Sequence, residues 1–313
     1  MFSILIPSWN NLEYLKLCVS SIRKNSAYPH EILVHVNDGS DGTLAWVQSE
    51  GIRYSHSNQN TGICLTVNHL AGLATQPWLV YMNDDMVCCP GWDLAYMDAI
   101  RQQTTDLIFL SSTLIEPIDT QNPVVIVQDF GTTPENFDEK GLFGNYLNTP
   151  RQDLSGRGSQ PTLVSKRWWH MVGGYSLEFS PGMSSDDDLL MKFWVAGCRT
   201  FKVLGKSRVY HFSCRSTGRV RKNKGARTFV TKWGITQGEF KKHYLENSQA
   251  QHEPGSHFPH ATRLGRFKRA IYGLTGDFPL GDIRAWDATP GLHFSGEQHV
   301  VPANSAQSDP DAP

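Results

Sequence analysis

Trp78-Leu79-Val80-Tyr81-Met82-Asn83-Asp84-Asp85-Met86 is the stretch on which the reading of this chain turns. Its apolar run is short enough for one buried strand and stops abruptly at Asn83-Asp84-Asp85. Adjacent carboxylates at the end of a buried strand are costly unless something positive binds there. In an open α/β sheet the carboxyl ends of the strands are where ligands sit. Mg²⁺ and Mn²⁺ take oxygen donors and share them with substrate phosphates. The triplet therefore reads as a metal and diphosphate site. The plain alternative is a solvated turn, because Asn and Asp are also common turn formers.

Outward from this stretch, the first hundred residues alternate strand and helix. A strand is predicted over 3–6, stopped by Pro7, and a helix from about Asn11, with Leu12, Leu15, Val19 and Ile22 on one face. A second strand over 31–36 ends in the turn-rich Asn37-Asp38-Gly39-Ser40-Asp41-Gly42-Thr43. A short helix over 44–49, a third strand over 52–55, the loop Asn58-Gln59-Asn60-Thr61-Gly62 and a helix over 63–74 lead to the fourth strand, 78–82. This βαβαβ order predicts an α/β, Rossmann-like fold with a mostly parallel central sheet flanked by helices. A helix over 91–103 and a strand over 107–110 follow. From 116 to 159 frequent Pro, Gly and Asn predict long loops around an antiparallel extension, with a strand at 124–127. A helix over 187–196 and strands near 200–203 and 207–211 complete the pattern.

Composition narrows the classes. Hydrophobic residues make up 39% and charged residues 19% of 313, with a net charge of −1. That balance suits a globular core and argues against nucleic acid as a partner, which usually needs a strongly basic domain. No apolar run reaches the roughly 18 residues of a membrane span. The start, Met1-Phe2-Ser3-Ile4-Leu5-Ile6-Pro7, reads as a first strand rather than a signal peptide. The six cysteines (Cys18, Cys64, Cys88, Cys89, Cys198, Cys214) lack CxxC or zinc spacing and read as reduced structural thiols, so a cytoplasmic location is expected. A vicinal Cys88-Cys89 redox site is the alternative.

In their order and spacing, the polar clusters resemble those of the family 2 glycosyltransferases, inverting enzymes with the glycosyltransferase A fold. The resemblance covers roughly 3–216. Ser3-Ile4-Leu5-Ile6-Pro7-Ser8-Trp9-Asn10 is similar to the family's first strand and turn, which implies Pro7 and Asn10 at the nucleotide. Asp38 matches the Asp that contacts the base. Asn60-Thr61-Gly62, followed by Asn68, matches the next pattern and puts Asn60 and Gly62 at the nucleotide. Asn83-Asp84-Asp85 occupies the Asp-x-Asp position, with Asn83 on a ribose hydroxyl, Asp84 supplying charge and Asp85 carrying the metal, Mn²⁺ or Mg²⁺. Val172-Gly173-Gly174-Tyr175 and Ser185-Asp186-Asp187-Asp188-Leu189 resemble the acceptor-side helix and the general-base segment. The base is expected at Asp186, with Asp187 its rival and Asp188 placed to pair with Lys192 at i, i+4. Val209-Tyr210-His211 resembles the late His that reaches the metal or diphosphate. The chain departs from the pattern at Asn83 (usually Asp), Val67 (often Arg) and Ser185 (usually Glu).

The resemblance implies metal-dependent transfer of a sugar from a nucleotide-sugar donor, UDP-linked by default, to a hydroxyl of a carbohydrate or lipid-linked acceptor. It also implies a catalytic domain over 1–215, with a nucleotide half to about 110 and an acceptor half from 111. A basic, partly helical C-terminal extension over 216–297 and a disordered tail over 298–313 would follow. The basic run Arg215, Arg219, Arg221, Lys222, Lys224 and Arg227 could close over the diphosphate. Each assignment has a plainer counterpart: Asp38 shaping a turn, Asp186 capping a helix, His211 a satisfied histidine. Two other functions stand beside the main one. A degenerate transferase could bind glycans or act as a scaffold. A sugar-phosphate nucleotidyltransferase usually carries a Gly-rich loop where this chain has Pro7-Ser8-Trp9-Asn10-Asn11. Finally, Leu264, Phe267, Ile271 and Leu274 share a helical face among Arg263, Arg266, Lys268 and Arg269. That pattern suits peripheral membrane contact through 263–274, or a helix packed on the catalytic domain.

Overall fold

The computed structural model of the chain describes residues 1–122, 124–213, 223–246 and 260–275. β1 (Phe2–Trp9), α1 (Leu12–Asn25), β2 (Glu31–Asn37), α2 (Thr43–Ser49), β3 (Arg53–Ser57), α3 (Ile63–Leu73) and β4 (Trp78–Tyr81) reproduce the predicted alternation. They are followed by β5 (Met86–Cys88), α4 (Trp92–Arg101), β6 (Ile108–Glu116), β7 (Val125–Val127), α5 (Glu139–Asn145), β8 (Leu154–Ser155) and β9 (Thr162–Ser165). α6 (Lys166–Met171), α7 (Ser185–Val195), β10 (Thr200–His211), α8 (Gly225–Trp233), α9 (Gln237–Phe240) and α10 (Arg263–Leu274) complete the described strands and α-helices. Cys214, residues 215–222 of the basic run and the tail 298–313 lie outside the described residues.

The strands form one 10-stranded sheet, ordered β3-β2-β1-β4-β9-β6-β10-β5, with β7 beside β6 and β8 beside β10. β1 to β4 are parallel. The sheet is nevertheless mixed, because β9 runs antiparallel to both β4 and β6. Helical crossovers impose parallel direction; β9 arrives from a long irregular segment and is free of that constraint. β7 is parallel to β6, so the expected antiparallel extension is confined to the short β8 beside β10. The two late strands are one, β10, with a register shift between Leu204 and Arg208.

Pro7 does not stop β1; it pairs with His35 inside the ladder. Leu5 O accepts from Met82 N, so strand alternation turns residue 7 to that same side, past the end of β4, where no amide donor is needed. Alternation also buries both faces of β1. Ile4 and Ile6 pack with α1 and α4, and Leu5 packs with α3 and α7. Full burial of each such side chain contributes about 1.5–3 kcal/mol. The same period separates Cys88 from Cys89: the two lie in different clusters, so they do not form a facing pair. Among the described residues, no helix is long and apolar enough to cross a membrane.

Candidate active site

β1, β2 and β4 end at one edge, and a cleft of about 400 Å³ opens there. Of the residues expected at the site, Pro7, Asn60, Gly62, Asn83, Asp84, Asp85 and His211 line it. Asn10 and Asp38 do not. Both adopt left-handed backbone conformations, with φ of 46° and 65°. Asn10 Nδ2 donates to Asp38 Oδ2 over 2.8 Å, and Gly39 N donates to Asn10 Oδ1 over 2.9 Å, which locks the turn beside the cleft. Asn37 takes the lining position instead. It is buried and accepts from Thr61 N over 2.9 Å, tying β2 to the loop before α3. Sequence reading passed over it in favour of its acidic neighbour.

At the start of α3, Asn60 Oδ1 accepts from Gly62 N over 2.9 Å. Gly62 has φ +76°, and a Cβ there would lie 2.8 Å from Pro181 Cα. Only glycine lets this helix end close on the segment before α7, where Ile63 N donates to Pro181 O over 2.9 Å. Val67, the position where the family often has Arg, is wholly buried in the core and faces away from the cleft.

The acidic end of the cleft depends on a strand register. His211 pairs with Met86 across β10 and β5, and Phe212 N donates to Asp85 O over 3.1 Å. His211 Nε2 thereby comes within 3.4 Å of Asp85 Oδ1, while Nδ1 lies 2.7 Å from Glu116 Oε1. Burial by itself would depress the imidazole, but Asp85 and Glu116 outweigh it and hold His211 up to about 10. Asp84 accepts from Asn11 Nδ2 over 3.1 Å. Glu116 was missed because its strand was expected to end at 110. An acid at the carboxyl end of a longer β6 was the available signal.

Among the described residues, no group of three or more His, Cys, Asp or Glu side chains is arranged to hold a metal ion by itself. A cation shared with a diphosphate needs fewer protein donors. Asp85 and His211 line one cleft and offer carboxylate oxygen and, once a bound cation takes the place of its proton, imidazole nitrogen, a donor set compatible with Mn²⁺. Glu116 behind the ring is the kind of outer carboxylate that orients a ligating histidine. These residues fit the expected metal.

The second acidic run begins α7. Tyr175 Oη donates to Asp186 Oδ1 over 2.7 Å, and Gln160 Nε2 donates to the same oxygen over 3.0 Å. Tyr175 is itself clamped at its backbone. Asn68 Nδ2 donates to Tyr175 O, and Tyr175 N donates to Asn68 Oδ1, each over 2.7 Å. Asp186 is not among the residues lining the cleft; Tyr81, which is, lies within electrostatic reach of Asp186, Asp84 and Asp85. Burial first, then those carboxylates, push the Tyr81 phenol well up.

Asp187 and Asp188 turn elsewhere. Asp187 is buried against Arg157 at 3.1 Å and accepts from Gln237. Burial raises its carboxyl above the ordinary value, Asp186 adds to the rise, and Arg157 opposes it. Asp188 is fully buried and accepts from Ser176 over 2.6 Å and Trp233 over 2.8 Å. The expected Lys192 stands at 3.8 Å, but the closer cation is Lys232 of α8, at 2.8 Å.

The sequence pattern of Glycosyl transferase family 2 matches residues 3–162. No curated protein matches the chain in sequence. Among solved structures, S. aureus TarS 1-349 superposes with a TM-score of 0.53 at 14% identity, over 75% of this chain and 66% of that one. GalNAc-T7 with UDP, GalNAc and Mn²⁺ gives 0.54 at 14% identity, over 90% of this chain and 58% of that one. The chain thus spans less than two thirds of either. At such identities the likeness concerns the fold.

Proposed function

The chain belongs to glycosyl transferase family 2, and on that premise we propose that it transfers a sugar, with inversion, from a nucleotide-sugar donor to a hydroxyl of a carbohydrate or lipid-linked acceptor. The observation that carries this reading is one cleft with Asp84, Asp85, His211 and Tyr81 on its lining, and Asp186 bonded to Tyr175, whose ring lies 6.0 Å from that of Tyr81. The nucleotide lies along the carboxyl ends of β1 and β2, between Asn37, Asn60 and Gly62, with the Asn10–Asp38 turn at the base. The diphosphate lies toward Asp84 and Asp85. GalNAc-T7, which shares the fold, is described with UDP and Mn²⁺; a UDP-sugar and Mn²⁺ are the corresponding proposals here, with Mg²⁺ the other candidate cation.

Asp85 and His211 would hold the cation, which when bound supplies positive charge to the departing diphosphate. Asp186 takes the proton from the acceptor hydroxyl as its oxygen bonds to the anomeric carbon. The bond from that carbon to the diphosphate breaks in the same displacement. Such base assistance is typically worth about 10²–10⁴-fold. Tyr175 and Gln160 aim Asp186 by donating to one of its oxygens. We assign this chemistry to 1–215, with 216–297 as an extension.

The test is thermal stability against a panel of nucleoside diphosphates, with and without Mn²⁺, beside Asp85→Ala. Ligand at a hundred times its Kd adds about 2.7 kcal/mol. A Mn²⁺-dependent shift with one nucleotide, lost in the variant, supports the reading. No shift with any nucleotide would move the assignment to a degenerate, glycan-binding transferase.

A further inference from the structure

The helix α10 is oriented the opposite way from an ordinary surface helix. An amphipathic helix normally turns its large apolar residues toward the protein. Here the only buried residue of α10 is Gly265, which sits so close to the Gly234 carbonyl after α8 that no side chain could replace its hydrogen. Arg227 stacks 5.1 Å over the Tyr272 ring on the same side, and Thr262 caps the helix while bonding Glu239. The outward face carries Leu264, Phe267, Ile271 and Leu274, all exposed, Phe267 at 64% and Leu274 at 89%. At 100° per residue the stripe lies about 140° round the helix from Gly265. The helix is therefore seated by its small residue and presents its large apolar ones to the outside.

The charge around the stripe indicates what covers it. Arg263 and Lys268 flank it, Arg266 and Arg269 follow, and α10 contains no acidic residue. The whole chain has a net charge of −1, so this concentration of cations is local. We infer that α10 lies flat on an anionic lipid surface, with Leu264, Phe267, Ile271 and Leu274 in the acyl boundary and the flanking cations at the phosphates. A protein groove would accept the stripe, but it would not need cations along both borders.

The test is flotation of the full chain with vesicles of phosphatidylcholine alone or mixed equally with phosphatidylglycerol. No donor or acceptor is present, so the result is independent of the transferase reading. The wild type should float with the anionic vesicles only, and less as salt rises. The pair Leu264→Ser with Phe267→Ser should lower partitioning at least about tenfold, without changing the thermal midpoint, because both side chains are exposed. The pair Arg263→Gln with Lys268→Gln should weaken binding and flatten its salt dependence. Failure of the wild type to float at low salt would overturn the inference, as would a serine pair that floats undiminished. So would a serine pair that turns a dimer into a monomer in light scattering, since the occupant would then be a second copy of the chain.

Discussion

Asn83-Asp84-Asp85 follows a strand, and Asp186-Asp187-Asp188 begins a helix. As text the two acidic runs are interchangeable. In space the first converges, with Asn83, Asp84 and Asp85 all lining one cleft. The second disperses: Asp186 turns to Tyr175 and Gln160, Asp187 to Arg157 and Gln237, Asp188 to Lys232 and Trp233. Successive helical residues are turned by 100°, so a helix sends neighbouring charges to different partners. An irregular loop beyond a sheet edge has no such rotation and can gather them. Charge density along a sequence therefore becomes charge density in a site only where the backbone allows convergence.

The strongest test of the contrast separates the members of the dispersed run. Asp186→Asn should lower kcat about 10²–10⁴-fold, with nucleotide affinity unchanged, measured by single-turnover transfer. A larger loss in Asp187→Asn would move the base to Asp187 and break the division of roles. Asp188→Ala should cost about 1–3 kcal/mol per stranded donor in urea unfolding, because the Ser176 hydroxyl and Trp233 indole lose their acceptor and Lys232 is left with Glu178 as its carboxylate partner. Asp84→Ala, at the cleft, should stay within about 1 kcal/mol of wild type. Equal losses from the two would mean that the converging run is also structural.

For the converging run, Asp85→Ala should abolish the Mn²⁺-dependent stabilisation by nucleotide, about 2.7 kcal/mol at a hundred times Kd. A chelator added to the wild type should have the same effect. A shift that survives both would separate nucleotide binding from the Asp85–His211 pair. Tyr175→Phe should be milder, about tenfold in kcat, since a hydrogen bond to a charged group is worth roughly 1.5–3 kcal/mol. An unchanged kcat in Tyr175→Phe would make Tyr175 a packing residue only.

The smallest effect concerns Asp187. Its native carboxyl is raised above the unfolded value of 3.8 by burial, so the native state holds its proton more tightly. Its contribution is then most favourable at low pH and declines as pH rises through the window above about 3.8. Asp187→Asn should gain on the wild type across that window, read from denaturation midpoints. A relative loss would show that the Arg157 pair outweighs burial.

Much of the cleft edge was legible because its signals are short-range. The alternating strands, the turn over 37–43 and the acidic end of β4 are each set by a handful of neighbouring residues. Glu116 was not legible, because its meaning depends on His211, 95 positions away. The same holds for Lys232 against Asp188, and for Asn68 fixing the backbone of Tyr175 from 107 positions away. β9 could not be given a direction, since irregular connections do not impose one.

By itself, the sequence determined the α/β class, the family and the order of the early strands and helices, because periodicity and turn chemistry are local. The tertiary structure alone decided which carboxylates meet. The β10–β5 register brings Asp85 to His211 and β6 adds Glu116, while the rotation of α7 parts Asp186 from Asp187 and Asp188. Pairings across a sheet and between distant helices arise from packing the whole chain, and no local pattern encodes them.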